Sequence, residues 1–189
     1  MTRERIVEAA AGIVLDHGVA GTTNDLVRRA AAVSGSQLTH YFPDKESLMS
    51  AVIAWRAQSV MNLTVLAARG GLDTFDGIRA WVDSYLSREE VCVAGCSFGS
   101  IAGEVMKTQA ATRAQFAAGF DQWEALFRAG FESMRERGEL KPGAAPVAMA
   151  NVLMAAFQGG MLLSQAAGDA APLNDALNGA LAYLMSLRV

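Results

Sequence analysis

Histidine and cysteine are scarce in this chain, two of each in 189 residues, and their scarcity removes several chemistries at once. His17 and His40 lie far in sequence from Cys92 and Cys96, so no His/Cys metal-ligand spacing is present. No Cys-His-acid arrangement, phosphate loop or cofactor fingerprint appears either. The expectation is therefore no metal, no cofactor and no catalytic residue, with a small helical enzyme as a remote alternative. Two cysteines four apart do not make a disulfide framework, and a chain of this length does not need one for a core. A strong excess of one charge is also missing. The net charge of −3 gives no chain-wide attraction to nucleic acid or membrane, so any such surface is local. The first residues, MTRERIVEAAAGIV, carry early charges and no uninterrupted apolar run of signal-peptide type. A cytoplasmic protein with reduced thiols is expected.

Proline is rare, with four in the chain, and Val, Ile, Thr and Tyr seldom alternate with polar residues. Long helices follow, and the fold class is all-α with about nine of them. Between Lys141 and Asp169 no charged residue occurs, a run long enough to span a bilayer. Asn151, Gln158 and Gln165 recur every seven residues within it, and Pro142 and Pro146 shorten it. A buried helix with a polar seam is preferred over a membrane span.

Ile6, Ala10, Ile13, Val14 and His17 follow helical spacing, and Gly18 stops a first helix of about 3–17. Thr22, with Asp25 three residues on, is expected to cap a short second helix running to about Ala31. Ser34 caps a third ending near Phe42, and Asp44 a fourth running to about Ala68. ARGGLDTFDG reads as a turn, after which Thr74 caps a fifth helix. VCVAGCSFGS is expected to be irregular, ahead of a short helix near 100–108. Phe116, Phe120, Trp123, Phe127, Phe131 and Met134 form one stripe on a helix of about 112–137. The uncharged helix of about 145–167 and a last one of about 172–187 complete the chain.

Within VSGSQLTHYFPDKESL (33–48) the third helix presents Ser34, Gly35, Ser36 and Gln37 outward. A short helix, a tight turn and a slim second helix make a helix-turn-helix, whose second helix enters the major groove. Glycine and serine permit close approach, and glutamine can pair bidentately with adenine. Lys45 sits in the first turn of the next helix, where a cation opposes the helix dipole; a phosphate partner explains it better. Residues 1–52 nevertheless hold five basic side chains (Arg3, Arg5, Arg28, Arg29, Lys45) against six acidic ones (Glu4, Glu8, Asp16, Asp25, Asp44, Glu46), a net of −1.

Four further motifs stand in order along the first half-hundred residues: His17-Gly18, Gly21-Thr22-Thr23, His40-Tyr41-Phe42 and Lys45-Glu46-Ser47-Leu48. In these, over about its first fifty-five residues, the chain resembles the N-terminal DNA-binding domain of TetR-family transcriptional regulators. The resemblance implies an N-terminal three-helix DNA-binding domain at 1–50, linked through the helix at 51–68. A larger effector-binding and dimerisation domain would take 51–189. Carried over by position, it implies phosphate contacts from Thr23, Thr39, Tyr41 and Lys45. Ser34, Gly35, Ser36, Gln37 and His40 would lie near the bases. This chain departs from the family pattern at Ala32, where the turn usually has glycine, at Gly35, often lysine, and at Thr39, often tyrosine.

The resemblance further implies a homodimer, a double-stranded DNA operator and a small-molecule effector. A repressor released from a near-palindromic site is the leading reading; a TetR-like helical effector-binding or scaffolding protein with lost or weak DNA binding is the alternative. Trp81, Tyr85, Cys96, Phe98, Met106, Phe120, Trp123, Phe127, Met154, Gln158 and Met161 are expected to line a largely apolar effector pocket. Asn151, Phe157, Gly159, Gly160, Leu177, Leu181 and Leu184 are expected at the dimer interface, with Gln158 open to either role. Some regulators of this family with a similar Gly-Cys segment respond to electrophiles or oxidants. Cys96 thus has two readings, a sensor thiol or a small buried side chain, and the absence of a nearby histidine or cluster of cations favours the second.

Overall fold

The computed structural model describes residues 1–106 and 110–189. Apart from one isolated antiparallel bridge between Leu140 and Arg188, the regular structure of these residues is helical: α1 (Thr2–Gly21), α2 (Asn24–Ala30), α3 (Gly35–Tyr41), α4 (Lys45–Ala67), α5 (Phe75–Leu86), α6 (Glu89–Ala94), α7 (Ser97–Val105), α8 (Ala110–Glu136), α9 (Pro146–Ala167) and α10 (Ala171–Ser186). Its contacts group into two compact units. The first comprises Met1–Ser59 with Ser97–Phe120, and the second Val60–Cys96 with Asp121–Val189.

In the first unit, α1 buries Ile6, Val7, Ala10, Ala11 and Val14, the spacing expected of a one-sided amphipathic helix. Helical geometry breaks at Gly18 (φ 70, ψ 171), a conformation that strains any residue with a Cβ. The Glu104 carboxylate, from α7, then accepts hydrogen bonds from the backbone N–H groups of Val19 (2.8 Å) and Ala20 (3.2 Å). Arg56 of α4 donates to the Ala11 carbonyl (2.8 Å), and α1 also packs on α2 and α7.

In the second unit, α5 begins as expected, Thr74 accepting from the Gly77 N–H (3.0 Å). The aromatic stripe on α8 is deeply buried: Trp123, Phe127, Phe131 and Met134 are fully enclosed, each contributing about 1.5–3 kcal/mol of burial. The Trp123 indole N–H donates to the Thr64 hydroxyl (2.8 Å), which itself donates to the Val60 carbonyl. The paired helices α9 and α10 pack along their lengths, and α6 lies against α9.

Two local expectations are corrected. Thr23, not Thr22, caps α2, accepting from the Leu26 N–H (3.3 Å); Thr22 is buried and its hydroxyl donates to the Gly18 carbonyl. The Gly-rich segment is not irregular: α6 and α7 continue up to and beyond a single break at Gly95 (φ 81, ψ 174). Glu89 and Glu90 in the first turn of α6 favour it through the helix dipole. The helix expected near 100–108 is α7, and residues 107–109 lie outside the described residues. Helix α9 is long and apolar enough to cross a membrane, yet one of its faces, from Met149 to Ser164, is buried inside the chain.

Candidate functional site

The turn between α2 and α3 closes with paired backbone hydrogen bonds, from Ala32 N–H to Arg29 and from Val33 N–H to Arg28. This pattern needs a left-handed residue at its corner, usually glycine; Ala32 holds that place at φ 50. Val33 is buried beneath the turn. α3 starts at Ser34, whose hydroxyl accepts from the Gln37 N–H (3.1 Å) while the Gln37 side-chain oxygen accepts from the Ser34 N–H (2.9 Å). Leu38 is the residue α3 buries, leaving its other sides outward.

Thr23, Ser34, Gly35, Ser36, Gln37, Thr39, His40, Tyr41 and Lys45 are all exposed. They occupy α3 and the N-terminal ends of α2 and α4. Several are already engaged locally. Thr23 caps α2, Thr39 donates to the Gly35 carbonyl (3.0 Å), and the His40 and Tyr41 rings meet edge to face with centroids 5.1 Å apart. Lys45 opens α4 beside Asp44, which accepts from the Ser47 N–H (2.7 Å). That hydrogen bond holds the Asp44 carboxyl below the usual carboxylate range. The positive side chains of the unit are partly spoken for as well: Arg28 reaches Asp25 (3.5 Å), and Arg3 lies over the Phe42 ring.

The residues expected to form one effector pocket fall into two groups. In the second unit Trp81, Tyr85, Trp123 and Phe127 cluster with Phe157, ring centroids 4.8–5.5 Å apart. Met154 and Met161 are buried on α9. In the first unit Phe98 and Phe120 pack together (4.7 Å), with Phe116 beside them, and Met106 is half-buried just beyond α7. The Trp81 indole N–H is fully buried and has no hydrogen-bond acceptor among the described residues. Burial, reinforced by the nearby Cys96 and only partly opposed by Arg88, pushes the Tyr85 phenol up to about 12.

Neither cysteine is in a disulfide. The Cys96 sulfur accepts from the Gln158 amide (3.5 Å), and burial pushes the Cys92 thiol up. Gln165 donates to the Ala94 carbonyl (3.2 Å). Two members of the polar row on α9 thus face α6 and the Gly95 turn inside the same chain, whereas Asn151 is exposed.

Five residues expected at a dimer interface are corrected to core. Phe157 sits in the aromatic cluster, and Leu177, Leu181 and Leu184 form the buried face of α10. Gly160 is also inside: a Cβ there would lie 2.8–2.9 Å from Leu173 of α10. Their spacing marks an apolar stripe, but α9 and α10 bury it against each other. Gly159 and Asn151 remain exposed, on the opposite face with Val152, Leu162 and Leu163. Sequence reading missed those three because α9 carries apolar residues on both sides of its polar row, so periodicity alone does not say which side the protomer uses.

Two family models match the chain: "Bacterial regulatory proteins, tetR family" over residues 6–52, and "Tetracyclin repressor-like, C-terminal domain" over 74–180. Among solved structures, a TetR transcriptional regulator from Chloroflexus aurantiacus is 28% identical, with a TM-score of 0.84 over 100% of this chain and 96% of that one. The reduced form of E. coli NemR is 24% identical, with a TM-score of 0.81 over 100% and 98% of the two chains. A TetR-family regulator from Cytophaga hutchinsonii is 18% identical, with a TM-score of 0.84 over 100% and 95%. These last two likenesses establish the fold alone. No curated protein matches in sequence. The C-terminal family model by itself covers more than half of the chain, and the chain belongs to the TetR family of transcriptional regulators.

Proposed function

We propose that this regulator is a homodimeric repressor that reads a near-palindromic operator and is released from it by a small, largely apolar effector. The observation that carries the DNA-reading part is the joint exposure of all nine positions on α3 and the starts of α2 and α4. Ser34, Gly35 and Ser36 leave the leading end of α3 slim enough for a groove. Thr23, Thr39, Tyr41 and Lys45 are the phosphate-contacting set; Ser34, Gly35, Ser36, Gln37 and His40 lie nearest the bases.

Homodimerisation is supported by the outer face of α9, where Leu162 and Leu163 are 65% and 59% exposed along a stripe with Val152, Gly159 and Asn151. Tyr183 adds an exposed aromatic on α10. An uncharged apolar strip of this length calls for a partner, and a second copy supplies a self-complementary one. The effector site is the Trp81–Tyr85–Phe127–Phe157 cluster. Its buried, unmatched indole N–H favours an effector carrying one hydrogen-bond acceptor on an apolar body. Effector binding shifts the dimer toward a conformation with unsuitable spacing of the two α3 helices.

The test is a salt-dependent titration of duplex DNA flanking the gene, with nonspecific competitor present. Lys45→Ala should weaken the specific complex and reduce its salt slope by about two, one phosphate from each protomer. Tyr41→Ala should weaken it too. Specific binding retained in both variants contradicts the assigned contacts. Failure of the native dimer to bind any such duplex favours the alternative, a protein of the same fold that has lost DNA reading. Release is tested by screening small apolar carbonyl compounds against the complex. A releasing compound equally potent on Trp81→Phe counts against the indole contact.

A further inference from the structure

The first unit contains a cavity of about 340 Å³ that the DNA-reading surface and the aromatic cluster do not account for. Its floor is apolar, made by Val19 after the α1 break, Met49 and Ile53 on one face of α4, and Val105 at the end of α7. Thr112 of α8 adds a side wall. The mouth is charged: Asp44, Lys45 and Glu46, consecutive at the start of α4, line it. All three are exposed. The volume falls within the range of small-molecule sites, roughly 300–1,000 Å³.

Among the described residues the mouth has one ammonium against two carboxylates, a net charge of −1. Asp44 stays ionised, because the Ser47 N–H is donated to it. A ligand with an apolar body and a single positive head satisfies both parts, burying its body on the Met49–Ile53–Val105 floor and neutralising the excess carboxylate. An anion meets a repulsive rim. We propose that this cavity is a ligand site for a small organic monocation with an apolar body, separate from the cluster around Trp81.

The site bears on the charge deficit of the DNA-reading residues. Lys45 stands at its mouth, and residues 1–52 carry a net charge of −1. A cation bound between Asp44 and Glu46 cancels that deficit beside a phosphate-contacting lysine and strengthens DNA binding. This consequence rests on the repressor reading above; the ligand site does not, and is tested without DNA.

Benzyltrimethylammonium serves as the probe, its neutral carbon isostere and phenylacetate as controls, titrated into the full-length protein by calorimetry. The cation is expected to bind about three- to tenfold more tightly than the isostere, the scale of one partly screened charge contact, and phenylacetate not to bind. Asp44→Asn with Glu46→Gln keeps a capping side chain at 44 and should erase the cation's advantage. Ile53→Phe fills the floor and should abolish both interactions. Phenylacetate binding as tightly as the cation, or titrations unchanged in the charge variant, overturns the proposal; the charge variant decides if Ile53→Phe does not fold. With operator present at fixed ionic strength, saturating cation should tighten the complex severalfold. An unchanged or weaker complex overturns the coupling, and a protein that binds no operator under any condition counts against the repressor reading alone.

Discussion

Replacing Ala32 with glycine is expected to stabilise the protein, although it removes a methyl group and adds chain flexibility. Ala32 sits at φ 50, in the left-handed region, at the corner of the turn between α2 and α3. The paired hydrogen bonds to Arg28 and Arg29 hold it there, and buried Val33 anchors the far side. A left-handed residue with a Cβ costs roughly 1–2 kcal/mol. Glycine removes that strain but makes the unfolded chain more disordered, costing about 0.5–1 kcal/mol. The side chain itself is exposed, so no packing is lost. The balance is a gain of about 0.5–1 kcal/mol, or about 1–4 °C in Tm for a chain of this size.

The assay is thermal unfolding followed by far-ultraviolet circular dichroism, at one protomer concentration because association shifts Tm. Ala32→Val supplies the opposite sign, since a β-branched side chain fits the left-handed region worst. A lower Tm for glycine, or a higher one for valine, would refute the backbone geometry assigned to the turn. Operator affinity of Ala32→Gly should stay near that of the native protein, because Ala32 is not among the proposed contacting positions.

Trp123→Phe keeps an aromatic ring, though a smaller one, and leaves the buried Thr64 hydroxyl without its indole donor; a loss of about 1–3 kcal/mol in urea unfolding is expected. Tyr85 should ionise near pH 12, seen as a late component of the phenolate absorbance that Tyr85→Phe removes. Because its folded pKa lies above the ordinary value of 10, the unfolded chain sheds this proton first, so stability falls as pH rises from about 10 to 12. A phenol titrating at 10 with no alkaline destabilisation would place Tyr85 in water. Leu162→Glu should yield a folded monomer in sedimentation at micromolar concentration, whereas Leu181→Glu, in the buried face of α10, should compromise folding itself.

Local signals with a one-residue mechanism were legible in the sequence. Gly18, Ser34, Asp44 and Thr74 act where their chemistry puts them, because a helix end is decided by one backbone angle or one hydrogen bond. Ala32 announced its strain by standing where glycine is usual. Signals that depend on which partner an apolar face meets were not legible. The Leu177–Leu181–Leu184 stripe reads equally well as core or as subunit contact, and burial against α9 selects core. The uncharged α9 offers apolar residues on both sides of its polar row, so Leu162 and Leu163 could be assigned outward only once α10 and α6 had been placed. Glu104, 84 residues from Ala20, gave no signal at all; its bonds to Val19 and Ala20 exist only because α7 folds back on α1.

The same contrast bears on how the recognition helix reads DNA. Gln37 is the residue best suited to a base, since both ends of its amide match adenine, and such a bidentate pair discriminates by about 1–3 kcal/mol. Its oxygen, however, already accepts from the Ser34 N–H at 2.9 Å, half of a reciprocal cap. Swinging the amide to adenine breaks that bond, worth about 0.5–1.5 kcal/mol, and so offsets part of the base contact, while the Ser34 hydroxyl keeps its own bond to the Gln37 N–H. Keeping the cap leaves only the NH2 group to donate, and a lone donor is accepted by adenine N7, guanine N7 or O6, and thymine O4 alike. With the proposed contacts, recognition by α3 would lean on groove fit through Ser34, Gly35 and Ser36. With five basic against six acidic side chains in residues 1–52 and Arg28 turned toward Asp25, phosphate neutralisation per protomer would be small. On the proposed reading a single copy of this unit would be a weak reader, and a second copy on one operator would supply the specificity.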